Sequence, residues 1–213
     1  MRRKKFILTK QQAVYQALRK EIMAGQLKPG SRLVIDKIAM NLDVSAIPVR
    51  EALSQLEKEG LVVIRPHAGA VVTDIPESAI EEIFALLEAL ETVSCRLGIR
   101  RLTPEHLARL RRISQSMDEA PGQEQWLTLN REFHQALPAL AGLPRLEDQM
   151  IRVGEDWERL RRLRFSDRKG EDFQRANLQH REFVQALEEQ DLERAEQMIR
   201  LHNREALAQY ISG

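Results

Sequence analysis

Apolar residues first recur at helical spacing across residues 11–24, where Val14, Leu18 and Ile22 stand one turn apart. Gly25, Pro29 and Gly30 break that pattern. Residues 35–41 predict a short second helix that ends near Leu42–Asp43. Ser45 then predicts the N-cap of a third helix. Pro48 falls in its first turn, where a missing N–H costs nothing, and the helix runs to Glu59 with Gly60 ending it. Val49, Ala52, Leu53 and Leu56 form its apolar stripe. The period then changes. "LVVIR" and "AVVT" are rich in β-branched residues, and "PHAG" lies between them, so a two-stranded hairpin with a four-residue loop is predicted.

From Pro76 onward nothing reads as strand. The pattern predicts six helices, at about 77–100, 104–118, 123–137, 144–164, 171–189 and 191–210. Thr103–Pro104 supplies a cap and first-turn pair, and Asp191 caps the last helix. Pro121–Gly122, Pro138, Gly142 with Pro144, and Gly170 supply the breaks. The expected fold class is mostly α. A winged helix-turn-helix in residues 1–75 precedes an all-α helical bundle in residues 76–213.

Composition adds exclusions. No apolar run approaches the ~18 residues of a membrane span. The basic start "MRRKKFILTK" has too short an apolar part for a signal peptide. Cys95 is alone on a helical pattern, which suits a packed small hydrophobe and a cytoplasmic location. The net charge of +1 is unevenly divided: residues 1–75 carry 13 Lys/Arg and 7 Asp/Glu, residues 76–213 carry 20 and 25. The first part is therefore at +6 and the second at −5, and the basic part suits a polyanionic partner.

The third helix is the candidate reader of double-stranded DNA. Opposite its apolar stripe it carries Ala46, Ile47, Arg50 and Ser54. A helix in the major groove meets bases through its N-terminal residues, and Arg50 is long enough for guanine or phosphate. The Ser45 hydroxyl and the free N–H groups of the helix start suit a phosphate oxygen. His67, Ala68 and Gly69 in the hairpin loop are flat or small enough to approach a minor groove. The run "PVREAL.QLE.EGLV" followed by a Gly-containing wing resembles the DNA-binding domain of the GntR family of bacterial transcription regulators, over about residues 11–73. That resemblance implies operator binding as a homodimer. Ala46–Ile47 stand where family members commonly have Arg-Thr before the proline, which predicts fewer guanine contacts at that step.

In the second part, "NREFHQAL" (130–137) and "HREFVQAL" (180–187) differ at two places only, Asn130 against His180 and His134 against Val184. "QMIR" also recurs, at 149–152 and 197–200. Duplication of a helical hairpin and a shared amphipathic need both account for this. The differences carry the chemistry. Asn130 and His134 stand within a stripe of Trp126, Leu127, Phe133 and Leu137. His180 is flanked by Phe173, Phe183, Val184 and Leu187, and His202 by Ala195, Met198, Ile199 and Ala206. Polar groups aimed at a core need partners. One divalent metal would serve three imidazoles and an amide oxygen, whereas ordinary core hydrogen bonds are the bland alternative. His106 also leans toward an apolar side, so periodicity offers four histidines and does not choose three.

An all-α domain after such a winged helix is similar to the FadR-type C-terminal domain called FCD, in its shorter, six-helix, VanR-like form. Its metal-binding members carry Asp-x-x-x-His, then a His, then another His on the last helix. The resemblance implies Asn130, His134, His180 and His202 as ligands of a divalent metal such as zinc or nickel, with a small organic acid as effector. Two departures stand out: Asn130 replaces the usual Asp, and Leu87 replaces an arginine one turn before Glu91. No HExxH, nucleophile elbow or carboxylate pair accompanies the histidines, so an enzyme is not expected. A ligand-responsive regulator is expected, with a metal-free sensor and a His-ligated metalloenzyme as the alternatives.

Overall fold

Thr9 opens the first helix with a capping box: its hydroxyl accepts from the Gln12 N–H, and the Gln12 side chain accepts from the Thr9 N–H. The structure, a computed structural model, describes residues 8–65, 69–164 and 170–211. In it the chain separates into two units, Met1–Ile75 and Pro76–Gly213.

In the first unit α1 (Lys10–Met23) is followed by β1 (Arg32–Leu33), α2 (Ile35–Asn41), α3 (Ala46–Lys58), β2 (Val62–Arg65) and β3 (Gly69–Val72). Val14, Leu18 and Ile22 of α1 meet Val49, Ala52, Leu53 and Leu56 of α3 in one buried cluster. Each of these larger aliphatic side chains contributes about 1.5–3 kcal/mol on leaving water. The sheet has three strands rather than the two predicted, in the order β1-β3-β2, all antiparallel. β1 is two residues long, too short to show alternation in sequence. Gly69 is what lets β1 approach. Its φ is +81°, and a Cβ there would stand 2.6 Å from the Leu33 carbonyl oxygen.

In the second unit the six described α-helices are α4 (Glu77–Gly98), α5 (Pro104–Asp118), α6 (Gln123–Leu140), α7 (Pro144–Arg164), α8 (Gly170–Glu188) and α9 (Leu192–Ile211), with a 3-10 turn at Ile99–Arg101. α4 packs on α6, α7 and α9, α5 on α6 and α8, α6 on α7, and α8 on α9. Asp191 caps α9 by accepting from the Arg194 N–H at 3.0 Å.

Pro138 does not end α6, as the pattern led one to expect. The helix continues through it to Leu140. Proline here forfeits only its own N–H, and the stop comes one turn later at Gly142, with φ +68°. The Pro138 carbonyl is then used by the Leu143 N–H at 2.9 Å. The end of α6 meets the end of α4 closely: a Cβ on Gly98 would lie 2.4 Å from the Ala141 Cβ. Cys95 is fully buried on α4, and burial first, then the Glu196 charge, push its thiol up to about 12, so it packs as a neutral group. Among the described residues no helix is long and apolar enough to cross a membrane.

Candidate functional site

The predicted DNA-reading residues gather at the start of α3. Ser45 is its N-cap in position, but its side chain makes no capping hydrogen bond. Its exposed hydroxyl therefore faces outward unspent, beside Ala46, Ile47 and Arg50. Ile47 is 68% exposed, a large apolar side chain held in solvent on an otherwise amphipathic helix. Arg50 is exposed and has no ion pair among the described residues. Gly69 lies in β3, paired with Arg65, where the sheet itself requires it. His67 lies outside the described residues.

In the second unit the structure chooses among the four histidines. His106 sits at the third position of α5, where its N–H is accepted by the Thr103 hydroxyl at 3.3 Å and its Nδ1 faces the Thr103 N–H at 3.4 Å. It is a capping residue, not a member of the cluster. His134 from α6, His180 from α8 and His202 from α9 come together instead. One ring nitrogen of each lies within 4.8 Å of the others. The ring centroids are 5.3 Å apart for His134–His180, 5.1 Å for His134–His202 and 4.6 Å for His180–His202.

Two of the rings have their tautomer set by neighbours. His134 Nδ1 contacts the Glu91 carboxylate, and Glu91 in turn accepts from Asn203 Nδ2 at 2.7 Å. A carboxylate only accepts, so Nδ1 carries the hydrogen, and in the neutral ring Nε2 keeps the lone pair. His202 Nδ1 is 3.0 Å from Gln179 Oε1, and the Gln179 amide nitrogen donates to Glu205 at 2.9 Å. That donation turns the Gln179 oxygen toward His202, so His202 Nε2 also keeps its lone pair. Neighbours of this kind commonly orient metal-binding imidazoles. Asn130 on α6 is buried, and its Oδ1 has no hydrogen-bond partner among the described residues. An orphaned buried carbonyl oxygen costs about 1–3 kcal/mol unless something fills its coordination. Three imidazoles and this oxygen make a donor set that a borderline divalent ion accepts.

The histidines border two hollows. The larger holds about 690 Å³ with its mouth included, and Asn130, His134 and His202 line it together with Glu91, Arg131 and Arg175. Leu87 also lines it, buried among apolar neighbours. The smaller holds about 370 Å³ and is where His180 is found, beside Phe133, Phe183 and Ile199. Arg131 on α6 lines the larger hollow, whereas Arg152 and Arg159 on α7 do not. Arg175 was not anticipated. Its guanidinium is engaged with Asp172 at 2.8 Å and Glu205 at 3.5 Å. Nor was the Glu91, Gln179 and Asn203 scaffold. Glu91 did leave a signal: a carboxylate among Ile80, Ile83, Phe84 and Leu87 on the buried stripe of α4.

Comparison with known proteins follows the same division. The profile for "Bacterial regulatory proteins, gntR family" matches residues 10–72, and that for the FCD domain matches residues 82–205. The HTH-type transcriptional regulator McbR of Escherichia coli K12 is 30% identical over 144 residues, 64% of this chain and 65% of that protein. The regulator YdhC of Bacillus subtilis is 28% identical over 193 residues, 88% of this chain and 85% of that protein. The solved structure of E. coli McbR/YncC superposes with a TM-score of 0.72 at 22% identity, covering 97% of this chain and 99% of that one, a likeness of fold. The chain belongs to the GntR family of bacterial regulatory proteins, in the branch with an FCD C-terminal domain, and is a DNA-binding transcription regulator rather than an enzyme.

Proposed function

We propose that this regulator is a metal-dependent sensor of a small organic acid, bound to operator DNA as a homodimer in the cytoplasm. The first unit, residues 1–75, reads DNA, and the second, residues 76–213, binds the effector and dimerises. The observation that carries the sensor is the convergence of three imidazoles, two of them with Nδ1 already engaged, beside the orphaned Asn130 oxygen. His134, His180, His202 and Asn130 hold a divalent ion such as zinc or nickel. Bound there, the ion supplies a Lewis-acidic position for a carboxylate. All four ligands are neutral, so none of them offsets the ion's charge, which favours an anion. The missing carboxylate at position 130 weakens the metal and strengthens its hold on the acid.

The reading surface is the Ser45 hydroxyl, the Ala46 and Ile47 side chains and Arg50, with His67 and Gly69 in the wing. Ile47 offers apolar contact to thymine methyls where an arginine would take guanine. Dimerisation is supported by the outer face of α4, where Leu86, Val93 and Leu97 are 45%, 39% and 52% exposed, with Leu90 between them at heptad spacing. Effector binding that favours one arrangement of the pair alters the spacing of its two reading helices, and so the affinity for a palindromic operator.

Metal analysis of the purified full chain tests the centre. About one divalent ion per chain is expected in the wild type, with loss in His134→Ala and in His202→Ala. Equal content in all three sinks the site.

A further inference from the structure

We infer that the effector is an aromatic monocarboxylate: a flat apolar body carrying one negative charge. The inference rests on the sensor reading and sharpens what that sensor takes.

Part of the wall of the larger hollow is apolar and aromatic. Phe84, Leu87, Trp126, Met150 and Trp157 all border it, and each is 9% exposed or less. These are large faces fixed by the core behind them. They offer dispersion and ring contacts and no hydrogen bonds to a hydroxylated chain. Trp126 has even its one donor committed, to Asn177 at 2.7 Å. Part of the polar lining is similarly spent, whereas the Gln209 and Asn130 side-chain oxygens have no hydrogen-bond partner among the described residues. Gln179 is held between His202 and Glu205, and Asn203 gives its amide hydrogens to Glu91 and to the Ile199 carbonyl. Against the aromatic wall a sugar acid would leave hydroxyls unpaired, and each buried unpaired hydroxyl is costly.

Charge then limits the effector to one carboxylate. The lining holds three carboxylates, Glu91, Asp172 and Glu205, against two guanidiniums, Arg131 and Arg175. That leaves the lining at −1, and a divalent ion brings it to +1. One carboxylate neutralises it, whereas a second would be uncompensated. The cations are unequal. Arg175 is engaged by Asp172 and Glu205, whereas Arg131 has no ion pair among the described residues. Leu87 stands one turn before Glu91, where a cation would have raised the site to +2 and admitted a diacid. Leucine there fixes both the charge and the apolarity of the wall.

The test uses the full chain loaded with zinc and three probes. Indole-3-acetate has an aromatic body and one charge, gluconate a hydroxylated body and one charge, and succinate a short body and two charges. Dissociation constants are measured by calorimetry. The chain's two tryptophans both line this hollow, so a change in their emission reports occupancy by gluconate or succinate, neither of which emits. Indole-3-acetate should bind at least about tenfold more tightly than either competitor. Leu87→Arg should shift the preference toward succinate, and Trp157→Leu should weaken indole-3-acetate while leaving gluconate and succinate unchanged. Trp157→Leu keeps the charge intact, so it serves if Leu87→Arg does not fold. Gluconate or succinate binding the wild type as tightly as indole-3-acetate overturns the inference and spares the sensor. If none of the three binds to zinc-loaded protein that still holds DNA, the organic-acid sensor reading itself falls.

Discussion

The two units of this regulator put their candidate functional groups in opposite places. In the first, polar chemistry stays outside: the core joining α1, α3 and the sheet is aliphatic, and Ser45, Ile47 and Arg50 stand in solvent. In the second, the chemistry is the core. Every buried polar or charged side chain among the described residues, from Glu91 to Asn203, belongs to this unit. A surface site can be changed without touching what folds the domain. A core site cannot, because its members are satisfied by one another, and removing one leaves another unpaired.

The widest separation between the units should come from Leu56→Ala. Leu56 is fully buried in the first unit, and truncation should cost that unit about 2–5 kcal/mol. Calorimetry should show its transition lowered and that of the second unit unmoved. A common shift of both would mean that they unfold as one. Next, Glu91→Gln should be felt twice within the second unit. Zinc affinity should fall by about 10–100-fold as His134 loses its orienting anion, and that unit's own stability should fall as well. Zinc titration with full retention of affinity would remove Glu91 from the site.

Arg50→Ala is the counterpart on the open surface. Operator binding should weaken by about 1–3 kcal/mol, with thermal stability within about 0.5 kcal/mol of wild type. A stability loss comparable to that of Leu56→Ala would erase the contrast. The smallest effect should come from acid. Hydrogen bonding from Arg96 first, and from Arg200, holds the Glu196 carboxyl below its ordinary range against an opposing push from burial. A depressed carboxyl contributes stability that is complete above its unfolded value of about 4.3 and is lost as pH falls through its folded value. Unfolding followed from pH 6 downward should therefore weaken the second unit below about pH 4.3, less steeply in Glu196→Gln. Identical slopes would show that this ion pair adds nothing.

The sequence made the first unit's α3 nearly complete, because its stripe, proline and terminal glycine are local signals. It hid β1, since a two-residue strand is defined only by its partner. In the second unit the apolar flanks of Asn130, His134, His180 and His202 were visible. Which three histidines meet was not. His106 shared the periodic signal, and its capping role depends on a bond to Thr103 that a helical wheel does not display. The scaffold was hidden by distance: Glu91 and Asn203 are 112 positions apart, and His134 and Glu91 are 43 apart. Gln179 and Asn203 sit beside His180 and His202 in the chain, about 100° round the helix, where the pattern gives no reason to look. Pro138 misled because a proline in the last turn of a helix costs one hydrogen bond to the turn before it, which a packed helix end can bear.

The contact between Gly98 and Ala141 makes α4 a lever. Without a side chain at position 98 the two backbones are seated against each other, so the last turn of α4 is held by the end of the helix that bears Asn130 and His134. α4 has 22 residues, a rod of about 33 Å, and its other end, at Glu77, directly follows the Ile75–Pro76 boundary. Glu91 couples the rod to His134. A tilt of about 5° about the seat carries the Glu77 end by about 3 Å over the rod's length. With one end seated, a sub-ångström adjustment at Glu91 would become, at the Glu77 end, a displacement as large as a hydrogen bond is long.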